Sequence, residues 1–330
     1  MNTSVLTIGD AFEDVLVYPE DLKVRPDNTF ASGKAVSFEL GEKIPLSDVQ
    51  YEVGGSACNT AVGFSRLGIR SSILTVLGDD TPAEKILRRL DDENVSPKNI
   101  IVDKNLKSNF SIIFRLEQGR SIFIYHSLKD YSCYRIKKNM TPKWIFLGPT
   151  GEGVEDLHRD IVATVAEKNT KLGWNPGALQ IKDGAQKFSN LLKNTHALFL
   201  NREEAIKFVK FPVHPSEDEV IKRLHSLGPK IVVITAGKRG ATAYDGENLY
   251  KVSVIPHVER VDSTGAGDSF AVGFLGKLMH DGELAEESEK QIEIALKWGI
   301  VNSNSVITKI GAQAGLLNLS EIEDGMKSFR

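Results

Sequence analysis

Short apolar runs that alternate with amphipathic helical stretches constrain this chain more than any other feature. Val5–Ile8, Ser72–Leu77, Lys143–Leu147, Lys171–Trp174, Ala197–Leu200 and Lys230–Thr235 each read as a buried strand. Helical periodicity follows: Ala57–Leu67, a helix started by Thr81-Pro82, Asp156–Lys168, Asp183–Lys193, Ala271–His280 and Lys290–Asn304. Ser216 with Glu219 forms a capping box opening the helix to Leu227, and Ser320 with Glu323 caps a terminal one. Strands of this kind belong in a mostly parallel sheet covered by helices on both faces. The expected fold class is therefore α/β, in one domain spanning residues 1–330. Two regions, about 13–53 and 107–127, break the rhythm. In the second, Phe110–Leu116 and Ser121–Tyr125 flank the turn Glu117-Gln-Gly-Arg120, a β-hairpin signature. The two regions are expected to pair as a small β-layer.

Bulk properties exclude several classes of function. The net charge of −3 gives no surface for nucleic acid or anionic membrane. No apolar run approaches the ~18 residues of a membrane span, and the first ten residues lack the basic start of a signal peptide. Cys58 and Cys133 are far apart and without metal spacing, which fits a reduced cytoplasm.

Ligands of such sheets bind at the carboxyl ends of the strands. That rule selects Gly9–Asp14, Asn175, Asn201, Thr235–Gly240 and the turn around Gly265. The stretch Val261-Asp-Ser-Thr-Gly-Ala-Gly-Asp-Ser-Phe270 places Gly265 and Gly267 where a helix begins. Free backbone N–H groups and the helix dipole make an anion hole there. Asp268 puts a carboxylate beside it. That pairing suits a reaction in which amides hold phosphoryl charge while a carboxylate accepts a hydroxyl proton.

Other motifs have both plain and functional readings. Gly54-Gly55 makes a tight turn before a helix, with Asn59 as a local cap or a ligand. Asn201 and Glu204 are a helix cap or a pair that holds Mg2+ through its waters. Thr235-Ala-Gly-Lys-Arg-Gly240 is a plain loop or a nucleotide-phosphate segment. Asp14 is a solvated loop acid or a group accepting two hydroxyls of a polyol. Cys58 reads as a small buried residue. A P-loop motif is absent, and Gly9-Asp-Ala-Phe12 lacks the glycines a dinucleotide pyrophosphate needs.

Taken together, Gly54-Gly-x-x-x-Asn59-x-Ala61 and Asp262-x-Thr-Gly-Ala-Gly-Asp268 resemble the two signatures of the PfkB, or ribokinase-like, carbohydrate kinases. The resemblance runs from about residue 5 to about 315. It implies a ribokinase-like three-layer α/β/α sandwich with a small β lid, and transfer of the γ-phosphoryl group of ATP to a hydroxyl. Asp268 would be the base, with the amides of Gly265, Ala266, Gly267 and Asp268 as the anion hole. Asn201 and Glu204 would organise Mg2+ and phosphate. Thr235, Gly237, Gly240 and Asn302 fall on the nucleotide side. Asp14, Phe12, Gly54, Gly55 and Asn59 fall on the acceptor side. Asp262 and Thr264 match positions near a monovalent-cation site, which makes K+ a candidate.

Departures cluster on the acceptor side: Phe12 where ribokinases commonly have Asn, Ser56 where they often have Lys, a long segment from Asp14 to Gly54, and Tyr125-His-Ser127. The expected acceptor is a small sugar or sugar derivative, with a nucleoside as the alternative. Sugar phosphates stay open too, since Arg115, Arg120 or Lys129 could supply charge. A catalytically inactive sugar-binding regulator is the third reading. An exposed lid edge would favour a homodimer.

Overall fold

The structure is a computed structural model and describes residues 4–329 except 21, 31, 117–118, 212–214 and 283–288. An eight-stranded sheet forms its centre, in the order 249–252, 241–244, 231–235, 197–201, 171–174, 144–147, 5–8, 71–74. Neighbours from 231–235 through to 71–74 pair in parallel, and the two strands at the other edge run antiparallel.

Alternation within each strand explains the continuous apolar runs. Leu6, Ile8, Ile145, Leu147, Leu198, Leu200, Val232 and Ile234 enter one core, beneath the helices Glu155–Lys168, Arg202–Val209 and Glu217–His225. Their neighbours Val5, Trp144, Phe146, Ala197, Phe199, Ile231 and Val233 enter the opposite core, beneath Ala266–Asp281 and Glu289–Val306. Because side chains point alternately up and down, a strand covered on both faces must be apolar at every position.

A second, four-stranded sheet has the order 119–125, 110–116, 12–19, 46–54. It is built from the two strand-rich regions, and a hairpin of Lys23–Pro26 and Lys34–Ser37 lies between its parts in sequence. Glu117 and Gln118 of the expected turn lie outside the described residues. Phe12–Pro19 is an inner strand whose even-numbered residues share a face, so Phe12 and Asp14 point the same way. Where one helix is expected over 183–193, Asp183 instead ends the helix Ala178–Asp183, Gly184 with φ 90° interrupts it, and a 3-10 turn Ala185–Phe188 leads into the short helix Ser189–Lys193. The last helix is capped two residues earlier than expected, by Asn318 with Glu321. Among the described residues no helix is long and apolar enough to cross a membrane.

Candidate active site

Gly265 adopts φ 75° and caps the helix Ala266–Asp281. Its conformation and surroundings both demand glycine, because a Cβ would lie 2.6 Å from Ala312 Cβ. The first α-helical bond runs from Ser269 N to Gly265 O, 2.8 Å, and the Ala266 N–H donates to Ser263 O at 3.4 Å. The amides of Gly267 and Asp268 are thus left at the open first turn. Gly267 differs from Gly265: it has helical backbone, it is exposed, and nothing lies within 4 Å of an added Cβ. No neighbour among the described residues requires glycine there.

Asp268 is held from the Gly54-Gly55 turn. Ser56 Oγ donates to its Oδ1 at 2.6 Å, and Asn59 Nδ2 donates to its Oδ2 at 2.9 Å. Asn59 is oriented in turn by Gln313 Nε2 at 3.1 Å, and Gln313 accepts from Arg89 Nε at 2.9 Å. Burial raises the Asp268 carboxyl above its usual range, against the two hydrogen bonds that favour its charged form. Cys58, beside this network, is fully buried and its thiol is pushed up to about 12, so it is an inert packing residue.

On one side of the Gly265 turn lies a cleft lined by Thr235, Gly237, Gly240, Val254, Ile255, Ala266, Gly267, Ile300, Ser303, Asn304 and Ile307. It unites the Thr235 loop with the anion-hole turn. Asn302 is not in it. That residue is fully buried, with Nδ2 donating to Ser269 O (2.7 Å) and Oδ1 accepting from Leu317 N (3.0 Å). Its amide ties two helices together, which corrects the expectation of a nucleotide contact. The cleft instead receives Asn304, 8% exposed, whose Nδ2 has no partner among the described residues.

A second cleft holds Asn175, Asn201, Glu204 and Lys207. Asn201 and Glu204 form a reciprocal capping box: Glu204 N donates to Asn201 Oδ1 and Asn201 N to Glu204 Oε2, both at 2.9 Å. The plain reading is therefore realised. Capping engages Glu204 Oε2, and burial raises the carboxyl while those bonds pull it down. Among the described residues no cluster of three or more His, Cys, Asp or Glu side chains could hold a metal. A Mg2+ ion held by phosphate oxygens and waters needs no such cluster, so a cap carboxylate bordering a cleft fits it.

The small sheet contributes Asp14, whose Oδ1 accepts from Ser111 Oγ at 2.5 Å. Gly54 makes room for this carboxylate, since a Cβ there would stand 2.2 Å from Asp14 Oδ2. Gly55, φ 91°, lets the chain pass against the Asp10 carbonyl. Burial raises the Asp14 carboxyl, with Ser111 and Arg120 opposing. Asp10 falls within the Gly9–Asp14 strand end selected from the sequence, which assigned it no role of its own. It is buried, accepts from Tyr131 Oη at 2.7 Å and lies 3.6 Å from His126 Nδ1. His126 stands edge-on to Phe12, ring centroids 5.0 Å apart. Burial raises the Asp10 carboxyl too.

Asp262 does not fit a cation ligand. Its Oδ2 accepts from Arg115 Nη1 (2.9 Å) and Gly311 N (3.3 Å), and its Oδ1 from Thr264 N (3.0 Å), Thr264 Oγ1 (2.7 Å) and Arg120. Burial would raise this carboxyl, but the Thr264 bonds, the Arg120 charge and the Gly311 amide hold it below its usual range.

A carboxylate at an open helix N-terminus, beside a cleft that joins the Thr235 loop to the Gly265 turn, is an arrangement that a phosphotransferase of the α/β class can use. The sequence pattern of the pfkB family carbohydrate kinase matches residues 28–139 and 152–318. The chain belongs to that family of kinases. It is 24% identical over 242 residues to a nucleoside kinase of Methanocaldococcus jannaschii, covering 72% of this chain and 76% of that protein. With the Probable fructokinase-6, chloroplastic, of Arabidopsis thaliana it shares 24% identity over 253 residues, 72% of this chain and 65% of the relative's length. Its fold matches an Arabidopsis thaliana ribokinase solved with ribose and ATP at TM-score 0.77, 19% identity and 99% coverage of both chains. A neighbour from E. coli was solved with ATP and Mg2+ (TM-score 0.76, 18% identity, 98% and 99% covered).

Proposed function

We propose that the chain transfers the γ-phosphoryl group of ATP to a hydroxyl of a small, uncharged sugar or sugar derivative. The observation that carries this reading is the Asp268 carboxylate, aimed by Ser56 and Asn59 at the open first turn of its helix. The cleft from Thr235 to Asn304 holds the nucleotide, with its phosphates running toward the Gly267 and Asp268 amides. Those amides take up charge as the phosphoryl group leaves its donor. Asp268 accepts the acceptor's proton late, when bond formation to phosphorus makes that hydroxyl acidic. Mg2+, when bound on the phosphates near Glu204 and Asn201, supplies further neutralising charge. Asp14 grips acceptor hydroxyls, and the small sheet acts as the lid that excludes water.

The acceptor wall is acidic. Asp10 and Asp14 face it, while Arg115 and Arg120 are committed to Asp262. Those arginines are not at liberty to hold a phosphate, which leaves Lys129 alone of the three cations named for one, so a neutral polyol fits better than a sugar phosphate. A nucleoside is the second reading, favoured by Phe12 and His126 on the wall beside Asp14. We also infer a homodimer through the lid. Its edge strand Gly119–Tyr125 exposes Ile122, Phe123, Ile124 and Tyr125 at 41–58% and, among the described residues, pairs only on its inner side.

A phosphotransfer screen across sugars, sugar phosphates and nucleosides tests the reading, with Asp268→Asn as control. The variant should retain nucleotide affinity and lose turnover by roughly 10²–10⁴. Normal turnover in Asp268→Asn would remove this carboxylate from the reaction.

A further inference from the structure

Two arginines sit opposite one another on the antiparallel pair Phe110–Leu116 and Gly119–Tyr125. Like charges directly across a strand pair repel. Here a shared counter-charge offsets the repulsion: both guanidiniums donate to Asp262, whose side chain is only 2% exposed. Arg115 Nη2 adds a bond to the Val261 carbonyl at 3.1 Å. Asp262 lies six residues before Asp268 and accepts from Thr264, which leads into the Gly265 turn. It also accepts from Gly311, beside the Ala312 that packs on Gly265. A carboxylate offers about four lone-pair positions, and five donor atoms already crowd this one.

We propose that Arg115 and Arg120 are positioning residues that latch the lid to the anion-hole turn through Asp262, and that their guanidiniums supply there the positive charge otherwise expected of a monovalent cation. The inference rests on the kinase reading given above. Its physical content is a coupling. Asp14 and Ser111 occupy the same face of the small sheet as Arg115, so one movement of that sheet places both the acceptor-gripping carboxylate and the latch. Lifting the sheet strips a buried carboxylate of two positive partners, an arrangement that favours the closed state. With the latch closed, Asp262 fixes Thr264 and Gly311, the two segments that flank Gly265.

The test uses the full-length enzyme and its best acceptor. Wild-type turnover should be the same, within about twofold, in potassium, sodium and tetramethylammonium chloride. Arg115→Gln with Arg120→Gln should lower kcat by about tenfold or more while leaving the KM for ATP within about twofold, since no nucleotide-cleft residue is altered. In that background Asp262→Asn should cost clearly less than it costs in the otherwise wild-type enzyme, because part of what Asp262 does is done through the arginines and the rest through Thr264 and Gly311. The double Lys variant should keep part of the rate and controls for folding, alongside thermal unfolding of each variant. Strong activation of the wild type by potassium would overturn the replacement of the cation. Independent, multiplicative losses from the arginine and Asp262 substitutions, or an unchanged kcat in the double Gln variant, would overturn the latch. A folded wild type inert toward every acceptor would overturn the kinase reading and this inference with it.

Discussion

Two glycines, two residues apart, should respond to the same substitution in opposite ways. In Gly265→Ala the new Cβ meets Ala312 Cβ at 2.6 Å on a backbone with φ 75°. Left-handed backbone costs a non-glycine residue about 1–2 kcal/mol, and overpacking of this kind about 1–3 kcal/mol more. A loss of about 2–5 kcal/mol in stability follows. In Gly267→Ala the Cβ meets nothing within 4 Å, and the residue lies in helical backbone. Alanine is the better helix former by up to about 1 kcal/mol, so thermal stability should hold or rise. The methyl group, however, would stand over the amides that the proposed function assigns to the phosphoryl group. Losing one such donor elsewhere costs about 10²–10³ in kcat, and a comparable drop is expected here. Thermal unfolding and steady-state phosphotransfer on the two purified variants decide the matter. A Gly267→Ala enzyme that turns over normally would mean the phosphoryl group does not pass this turn, and the site would have to be sought elsewhere.

Other variants probe the remaining walls. Ser56→Ala removes a hydrogen bond to the charged form of Asp268, whose carboxyl is already raised by burial; its pKa rises further, and the acid limb of the kcat–pH profile should move to higher pH. Gly54→Ala drives a methyl group onto Asp14 Oδ2, at 2.2 Å, so the acceptor KM should climb while ATP affinity, read by isothermal titration, stays put. Asn304→Leu fills the nucleotide cleft with a side chain that cannot donate. The KM for ATP should rise about 10-fold or more, in line with an unmade buried hydrogen bond of 1–3 kcal/mol. Ile124→Lys charges the exposed edge of the small sheet, and light scattering should then report a monomer for the variant and, if the proposed dimer forms, a dimer for the unaltered chain.

Much of this architecture was legible because burial on two faces leaves a strong trace. The continuous apolar run of Lys230–Thr235 could only be a covered strand, and Ile231 through Ile234 do divide between the two cores. The Gly265–Asp268 turn was legible because glycine and a first-turn carboxylate are local chemistry. Asn302 shows where the reading failed. Two residues on a helix are about 200° apart, so a choice between Asn302 and Asn304 is a choice between core and cleft. The signal was present: Ile300, Ser303, Asn304 and Ile307 line the cleft at helical spacing, and Asn302 lies off that stripe. The association of Asp10 with Tyr131 and His126 was not legible, because it joins a strand end to segments more than a hundred residues away. The opposition of Arg115 and Arg120 depends on hairpin register, which sequence periodicity does not specify.

The bonds that aim Asp268 have a consequence for how the protein comes into being. Asn59 and Asp268 are separated by 209 positions, and the Gln313 that orients Asn59 lies 254 positions beyond it. During synthesis, chains fold from the N-terminal end as they emerge. The growing polypeptide can lay down its central sheet before Asp268 is translated, and that carboxylate remains unaimed until Gln313 has also emerged. A nascent chain that has not yet reached Gln313 therefore lacks the bonds that orient Asn59 and Asp268.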